Sequence, residues 1–252
     1  MCRGNSLRGV VLAVLIMAVV LTGCQQTKTD VVTVATDATW PPFEYVEEGS
    51  KDIVGFDIDL LDAVAEAGGF KIEYVNVGFD ALLAGVAQGE YDAAISSITI
   101  TEDRKKQMLF SDPYYNAGQV IAVKAGTTGI ASAADLTGHT AGAQIGTTGT
   151  MEIEKIEGAT LKTYDTIDLA FMDLLNGQVD AVVVDNPVAA GYLGQYPGQL
   201  EIVGEPFTDE WYGIAVRSGG EDILAKINTG LAKVQSGTLI SELEDRWLRG
   251  GD

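Results

Sequence analysis

Arg104 lies in the first turn of a short helix, in the run Thr99-Ile100-Thr101-Glu102-Asp103-Arg104. The helix dipole disfavours a cation there. An anion gripped by the guanidinium and by the free N–H groups of the helix start would offset that cost. The plainer alternative is a surface arginine paired with a nearby acid. Gln144-Ile145-Gly146-Thr147-Thr148-Gly149-Thr150 is a turn of small residues between a strand and a helix beginning near Met151. It is either an ordinary loop or a cradle of amides and hydroxyls. Thr36-Asp37-Ala38-Thr39-Trp40-Pro41-Pro42-Phe43-Glu44 sets an acid and an indole on a proline-stiffened loop, and Phe79 follows the second strand. Aromatics at such places stack on solutes, although an isolated Trp or Phe commonly belongs to a core.

Catalytic chemistry finds no support in the residue pattern. His139 is the only histidine and falls in a turn, both cysteines lie in the first 24 residues and away from the rest of the chain, and no Gly-x-Ser-x-Gly elbow, phosphate loop or metal-ligand spacing is present. Asp57 and Asp59 are two apart on a helix and so face different ways. No catalytic residue, metal or cofactor is expected.

The elements that must position these residues alternate. Val31–Ala35 reads as a buried strand and Gly55–Gly69 as a helix with Leu60, Leu61 and Val64 on its apolar face. Lys71–Val75 is a strand, Asp80 caps a helix ending at Gly89, and Asp92–Ile95 is a strand. A charged turn at 102–106, a turn at Asp112-Pro113, and strands at Gln119–Val123 and Thr140–Gln144 follow. Strand and helix in alternation imply parallel pairing and an α/β fold. Residues 86–97, VAQGEYDAAISS, match 174–185, LLNGQVDAVVVD, in spacing. Ser97 and Asp185 therefore fall at equivalent carboxyl ends of strands, the edge at which open α/β sheets bind ligands. Two such edges facing each other make a cleft. The tail carries two packing helices broken near Gly237, with Ile223, Ile227, Leu231 and Val234 on the first face and Leu239, Ile240, Leu243 and Trp247 on the second.

Arg3 and Arg8 precede an apolar run, Val10–Leu21, too short for a comfortable membrane span, and then Leu21-Thr22-Gly23-Cys24. This resembles a lipoprotein signal, with residues 1–23 removed, Cys24 acylated and 24–30 as a polar tether. The mature chain then has neither thiol nor disulfide. Removing 1–23 takes two arginines and no acid, leaving 14 basic against 36 acidic groups, a net charge of about −22. Nucleic acid and anionic membrane surfaces are poor partners for such a chain.

The segments ATDATWPPFEY, IVGFDIDL, YDAAISSITITEDRKK, FSDPYYNAGQV, GAQIGTTG, VDAVVVDNPVA and EWYGIAV resemble, in order and spacing, the polar amino-acid solute-binding proteins of ABC importers, bacterial extracellular solute-binding protein family 3. The resemblance covers Val31 to Leu248. It implies a two-lobe type II periplasmic binding protein fold, with a ligand cleft between lobes joined by two hinge crossovers near Asn116–Gln119 and Thr208–Gly213. The lobes would be 31–117 with 213–252, and 118–212. Carried over residue by residue, Arg104 and the amides of Thr99 and Thr148 would hold a ligand α-carboxylate. Asp185, Ser97 and the Thr99 hydroxyl would take the α-ammonium. Trp40 and Phe79 would sandwich the side chain, with Asp37 at its polar end, Ser96 and Gln144 lining the pocket, and Asp57 acting as a structural cap. Gln144 and Val184 stand where some members have lysine or histidine.

With Asp185 used by the ammonium, Asp37 is left for the distal end of the ligand. A basic amino acid, arginine first, is therefore expected, with glutamine as the competitor. The partners implied are the amino acid and ABC permease subunits, with only the lipid in the membrane, for a monomer on the outer face of the cytoplasmic membrane or the periplasmic side. A periplasmic dehydratase and a ligand-presenting sensory module on the same fold are the rival readings.

Overall fold

Alternation of buried positions carries the chain out from Val31. The computed structural model describes residues 31–249, and the lipobox, Cys24 and the tether lie outside them. Strand β1 (Val31–Thr36) runs into a small antiparallel sheet of β2 (Thr39–Trp40), β3 (Glu44–Val46) and β4 (Ile53–Val54). Helix α1 (Phe56–Gly68) buries Leu60, Leu61 and Val64, as its periodicity predicts, and Gly69 ends it in the left-handed conformation that glycine adopts without strain. Then come β5 (Lys71–Asn76), α2 (Phe79–Gln88), β6 (Ala93–Ala94), α3 (Glu102–Lys105) and β7 (Leu109–Phe110).

After β8 (Tyr115–Ala117) the pattern restarts. It runs through β9 (Gln119–Lys124), β10 (Thr140–Gln144), α4 (Thr148–Glu154), β11 (Thr160–Tyr164), α5 (Ile167–Leu175), β12 (Ala181–Asp185), α6 (Asn186–Gln195) and β13 (Leu200–Val203). The chain returns through β14 (Glu210–Tyr212) and β15 (Ala215–Val216) to α7 (Glu221–Gln235) and α8 (Leu239–Trp247).

The first large sheet has the order β5-β1-β6-β15-β7 and the second β11-β10-β12-β9-β13. In each, three parallel strands are followed by two antiparallel additions. The sequence repeat falls at the same place in both: a helix, Gly89 or Gly177, then β6 or β12. The two passages between the sheets lie side by side, since β8 and β14 pair antiparallel with Tyr212 opposite Tyr115 and Glu210 opposite Ala117. Tyr212 also bridges to Thr99, which ties the segment after β6 to the same ribbon.

Helix α7 buries Ile223, Ile227, Leu231 and Val234 against α1. A Cβ at Gly230 would lie 2.1 Å from the Val64 carbonyl oxygen, so only glycine permits the approach of the two backbones. On α8 only Leu243 is fully buried, while Leu239, Ile240 and Trp247 pack at the margin of the core.

Several local expectations differ. Asp80 sits in the first turn of α2, and the cap position is Gly78. Phe79 therefore begins a helix instead of lying on a loop. Helix α4 starts at Thr148, ahead of Met151. Asp57 is not a cap either, because Gly55 occupies that position and no side chain caps α1. The Asp57 carboxylate turns inward instead, accepting from Ser97 N at 2.8 Å and from the Tyr114 hydroxyl at 2.8 Å.

Candidate functional site

Thr101 caps the short helix α3, its hydroxyl accepting from Arg104 N at 3.2 Å. That fixes the direction of the Arg104 side chain, which is buried and makes no salt bridge among the described residues. Its Nη1 donates to Thr99 O at 2.7 Å and its Nη2 crosses to Gly146 O at 3.0 Å, at the end of β10 in the other sheet. Nε is buried without a partner. Burial pushes the guanidinium down to about 10, opposed by the charges of Asp185 and Glu210. A surface arginine with an acid partner is thereby ruled out.

Asp185 ends β12 and is 3% exposed. Burial, then the charge of Glu210, raises its carboxyl to about 7 against the pull of Tyr212 and Gln119 beside it, and Oδ1 makes no hydrogen bond of normal geometry. Ser97 holds φ 47°, a left-handed conformation uncommon for a residue with a Cβ, and the bond from its N–H to Asp57 holds it there. Its hydroxyl is also buried and unpartnered. An orphaned donor on Arg104 and orphaned acceptors on Ser97 and Asp185 thus stand at the strand ends of the two sheets. Buried polar groups left unpaired in this way are costly, and a ligand carrying both charges can satisfy them.

A second group of residues lies further along the same edge. Asp37, buried, accepts from Thr39 Oγ1 at 2.9 Å and, across the sheets, from Gln144 Nε2 at 2.6 Å. Gln144 Oε1 accepts from the Trp40 indole N–H, and its Nε2 also donates to Asp165 O at 2.9 Å. Burial raises the Asp37 carboxyl, those hydrogen bonds draw it back, and the Asp168 carboxylate pushes it up again. The Trp40 and Phe79 rings stack on one another with centroids 6.2 Å apart and planes at 29°. A planar group between two rings needs about 7 Å. The expected sandwich is here a direct stack, with the Arg104 guanidinium carbon 5.4 Å from the Phe79 centroid.

The structure thus gathers Asp37, Trp40, Phe79, Gln144, Arg104, Ser97, Thr99, Thr148 and Asp185 along the facing sheet edges. Ser96 differs from its expected place on the pocket wall. Its hydroxyl donates to Glu44 Oε1 at 2.9 Å and accepts from Asp37 N at 3.1 Å, so it supports Asp37 from beneath. Gly149, next to Thr148, has no room for a Cβ, which would lie 2.7 Å from Val183 O.

Three acids here, Glu44, Asp168 and Glu210, have no role in the sequence analysis. Glu44 is fully buried, and desolvation together with the Asp57 charge drives its carboxyl well above the usual range, while burial lifts Asp57 to about 6. Asp168, in the first turn of α5, adds a second negative charge near Asp37, and its Oδ1 is buried without a partner. Glu210, on the crossing strand, accepts from the hydroxyls of both Thr99 and Thr148. Glu44 and Glu210 lie inside the quoted motifs ATDATWPPFEY and EWYGIAV, which was the available signal. Asp168 had only its place at a helix start.

The family model of bacterial extracellular solute-binding proteins, family 3, matches residues 32–250. ABC transporter arginine-binding protein 1 of Escherichia coli (strain K12) is 36% identical over 217 residues, 83% of this chain and 87% of that protein. An ancestral arginine-binding protein bound to glutamine is similar in structure, with a TM-score of 0.83 and 42% identity over 87% of this chain and 98% of that one. The arginine-, lysine-, histidine-binding protein ArtJ from the thermophilic bacterium Geobacillus stearothermophilus gives a TM-score of 0.81 and 40% identity, covering 88% and 96%.

Proposed function

Because the chain belongs to the bacterial extracellular solute-binding proteins of family 3, we propose that it captures a free L-amino acid, arginine favoured, and delivers it to the permease of an ABC transporter. The observation that carries the amino-acid class is the set of unpaired buried groups: Arg104 Nε on one side, Ser97 Oγ and Asp185 Oδ1 on the other. An α-carboxylate suits the first and an α-ammonium the second. Proteins named for arginine binding are similar to it over most of its length. The basic side chain is favoured by Asp37 and Asp168, two acids whose charges act on one another, beside aromatic faces over which a cation gains roughly 0.5 to 2 kcal/mol.

Glutamine is the second reading, favoured by one observation. Thr39 Oγ1 and Gln144 Nε2 already give each Asp37 oxygen one hydrogen bond, so a neutral amide N–H could satisfy what remains of its accepting capacity. The similar ancestral arginine-binding protein has been solved bound to glutamine.

In this proposal residues 31–117 with 213–252 form one lobe and 118–212 the other, and the lobes close on the ligand about the paired crossings 115–117 and 210–212. Closure is what the permease would recognise. The family places the protein outside the cytoplasm. Anchoring through lipid on Cys24, a monomeric state and the absence of catalysis complete the reading. Arg104 and Asp185 are engaged by the zwitterion, which leaves neither as an acid-base group. Calorimetry with free amino acids tests the whole.

A further inference from the structure

Three threonine hydroxyls end on one carboxylate. Glu210 opens β14 and is 6% exposed. Its Oε2 accepts from Thr99 Oγ1 at 2.7 Å and from Thr148 Oγ1 at 2.7 Å, and its Oε1 accepts from Thr208 Oγ1 at 2.8 Å. Thr99 follows β6 of the first sheet, Thr148 begins α4 beside the second, and Thr208 lies in the crossing between them. An ionised carboxylate only accepts, and a hydroxyl has one proton to give. All three bonds therefore have a fixed direction, and Thr99 and Thr148 keep only lone pairs for any other neighbour. Thr148 uses one of these on Gln119 Nε2 at 3.1 Å, so hydrogen bonds run one way from Gln119 through Thr148 to Glu210 as the final acceptor.

We propose that Glu210 is a positioning residue of the amino-acid cleft, which ties the two lobes together at the crossing and fixes the Thr99 and Thr148 hydroxyls as acceptors towards the ligand. The inference rests on the amino-acid reading of the cleft and adds to it how the zwitterion is read. A hydroxyl reduced to lone pairs suits an ammonium and cannot donate to a carboxylate. Recognition of the α-carboxylate is then left to Arg104 and backbone N–H groups. Glu210 acts through the threonines, so its contribution is common to every α-amino acid and indifferent to the side chain. Its charge also acts on Asp185, which is faced by Tyr212, Gln119 and Arg104 as well.

The test compares wild type, Glu210→Ala and Glu210→Gln by calorimetry with L-arginine and L-glutamine. Glu210→Ala should weaken both ligands by one common factor of about ten. Glu210→Gln, which keeps an oxygen acceptor, should stay within about threefold of wild type. In both variants the pH of half-maximal affinity should move down, because a like charge near Asp185 is gone. Without ligand, spin labels on Glu73→Cys and Glu157→Cys, both exposed, should give longer and broader distances in Glu210→Ala. Unchanged distances, or an arginine-to-glutamine affinity ratio altered more than about threefold, would overturn the proposal. If wild type binds neither amino acid the cleft reading fails, and the labels still decide whether Glu210 ties the lobes.

Discussion

Gln144 Nε2 donates to Asp37 Oδ2 at 2.6 Å, joining the carboxyl end of β10 in one sheet to the carboxyl end of β1 in the other. The contact sets how much negative charge the distal end of a ligand meets. Asp37→Asn keeps an amide able to pair with Gln144 and removes the charge. Affinity for arginine should fall at least about tenfold and that for glutamine stay within about threefold, measured by calorimetry. Equal losses for the two ligands would count against Asp37 as the reader of a cationic side chain.

The α-carboxylate and α-ammonium clamps should fail separately. Removing one partner of a desolvated charge-assisted pair strands the other, so Arg104→Ala and Asp185→Ala should each cost roughly 2 to 5 kcal/mol of binding. That is about 30-fold to several thousandfold in affinity. Both residues hold the ends of elements and not the cores, so circular dichroism should report an intact fold. A mutant that binds arginine within a fewfold of wild type would remove its residue from the site.

Asp185 also sets a pH dependence whose sign is fixed. Its folded pKa of about 7 lies above the ordinary 3.8. Between those values the folded state holds the extra proton, so stability falls as pH rises from about 4 to 7, and the cost is complete above 7. Without ligand, Asp185→Asn should therefore be more stable than wild type at pH 8, by on the order of 1 to 3 kcal/mol. That margin should shrink at pH 5. Wild-type affinity for arginine should weaken below about pH 7, where the ammonium loses its charged partner. Thermal unfolding at the two pH values checks this, and an equal gain at both would contradict it.

The sequence made the long elements legible because their burial is periodic. The apolar stripes of α1 and α7, the apolar run of β1 and the alternation of β5 predict the elements found. The two-residue strands β7 and β15 have no such period, and their pairing comes from residues more than a hundred positions away. At the site, Arg104 and Asp185 could be read from their places at a helix start and a strand end. What Asp57 and Ser96 do could not. Their side chains turn inward to hold Ser97 and Asp37, a matter of direction that spacing leaves open. Glu210 escaped for a related reason. Its role exists only where two lobes and a crossing meet.

The proposed lipid anchoring rests on Leu21-Thr22-Gly23-Cys24. Wild type expressed in a bacterial host should carry an acyl mass on Cys24 as its first residue, and Cys24→Ser should be neither lipidated nor cut ahead of residue 24. An intact-mass spectrum of the wild type without added acyl mass would contradict this.

In the proposed function, Arg104 and Asp185 complete their hydrogen bonding on a free amino acid with a cationic side chain. Isothermal calorimetry of the ligand-stripped protein with arginine, lysine, histidine, glutamine and glutamate tests it most directly. Binding at one site per chain is predicted, with arginine tightest, lysine and histidine weaker, and glutamate rejected by Asp37 and Asp168. Glutamine at least as tight as arginine would contradict the basic side chain alone, and heat from none of the five would contradict the amino-acid site itself.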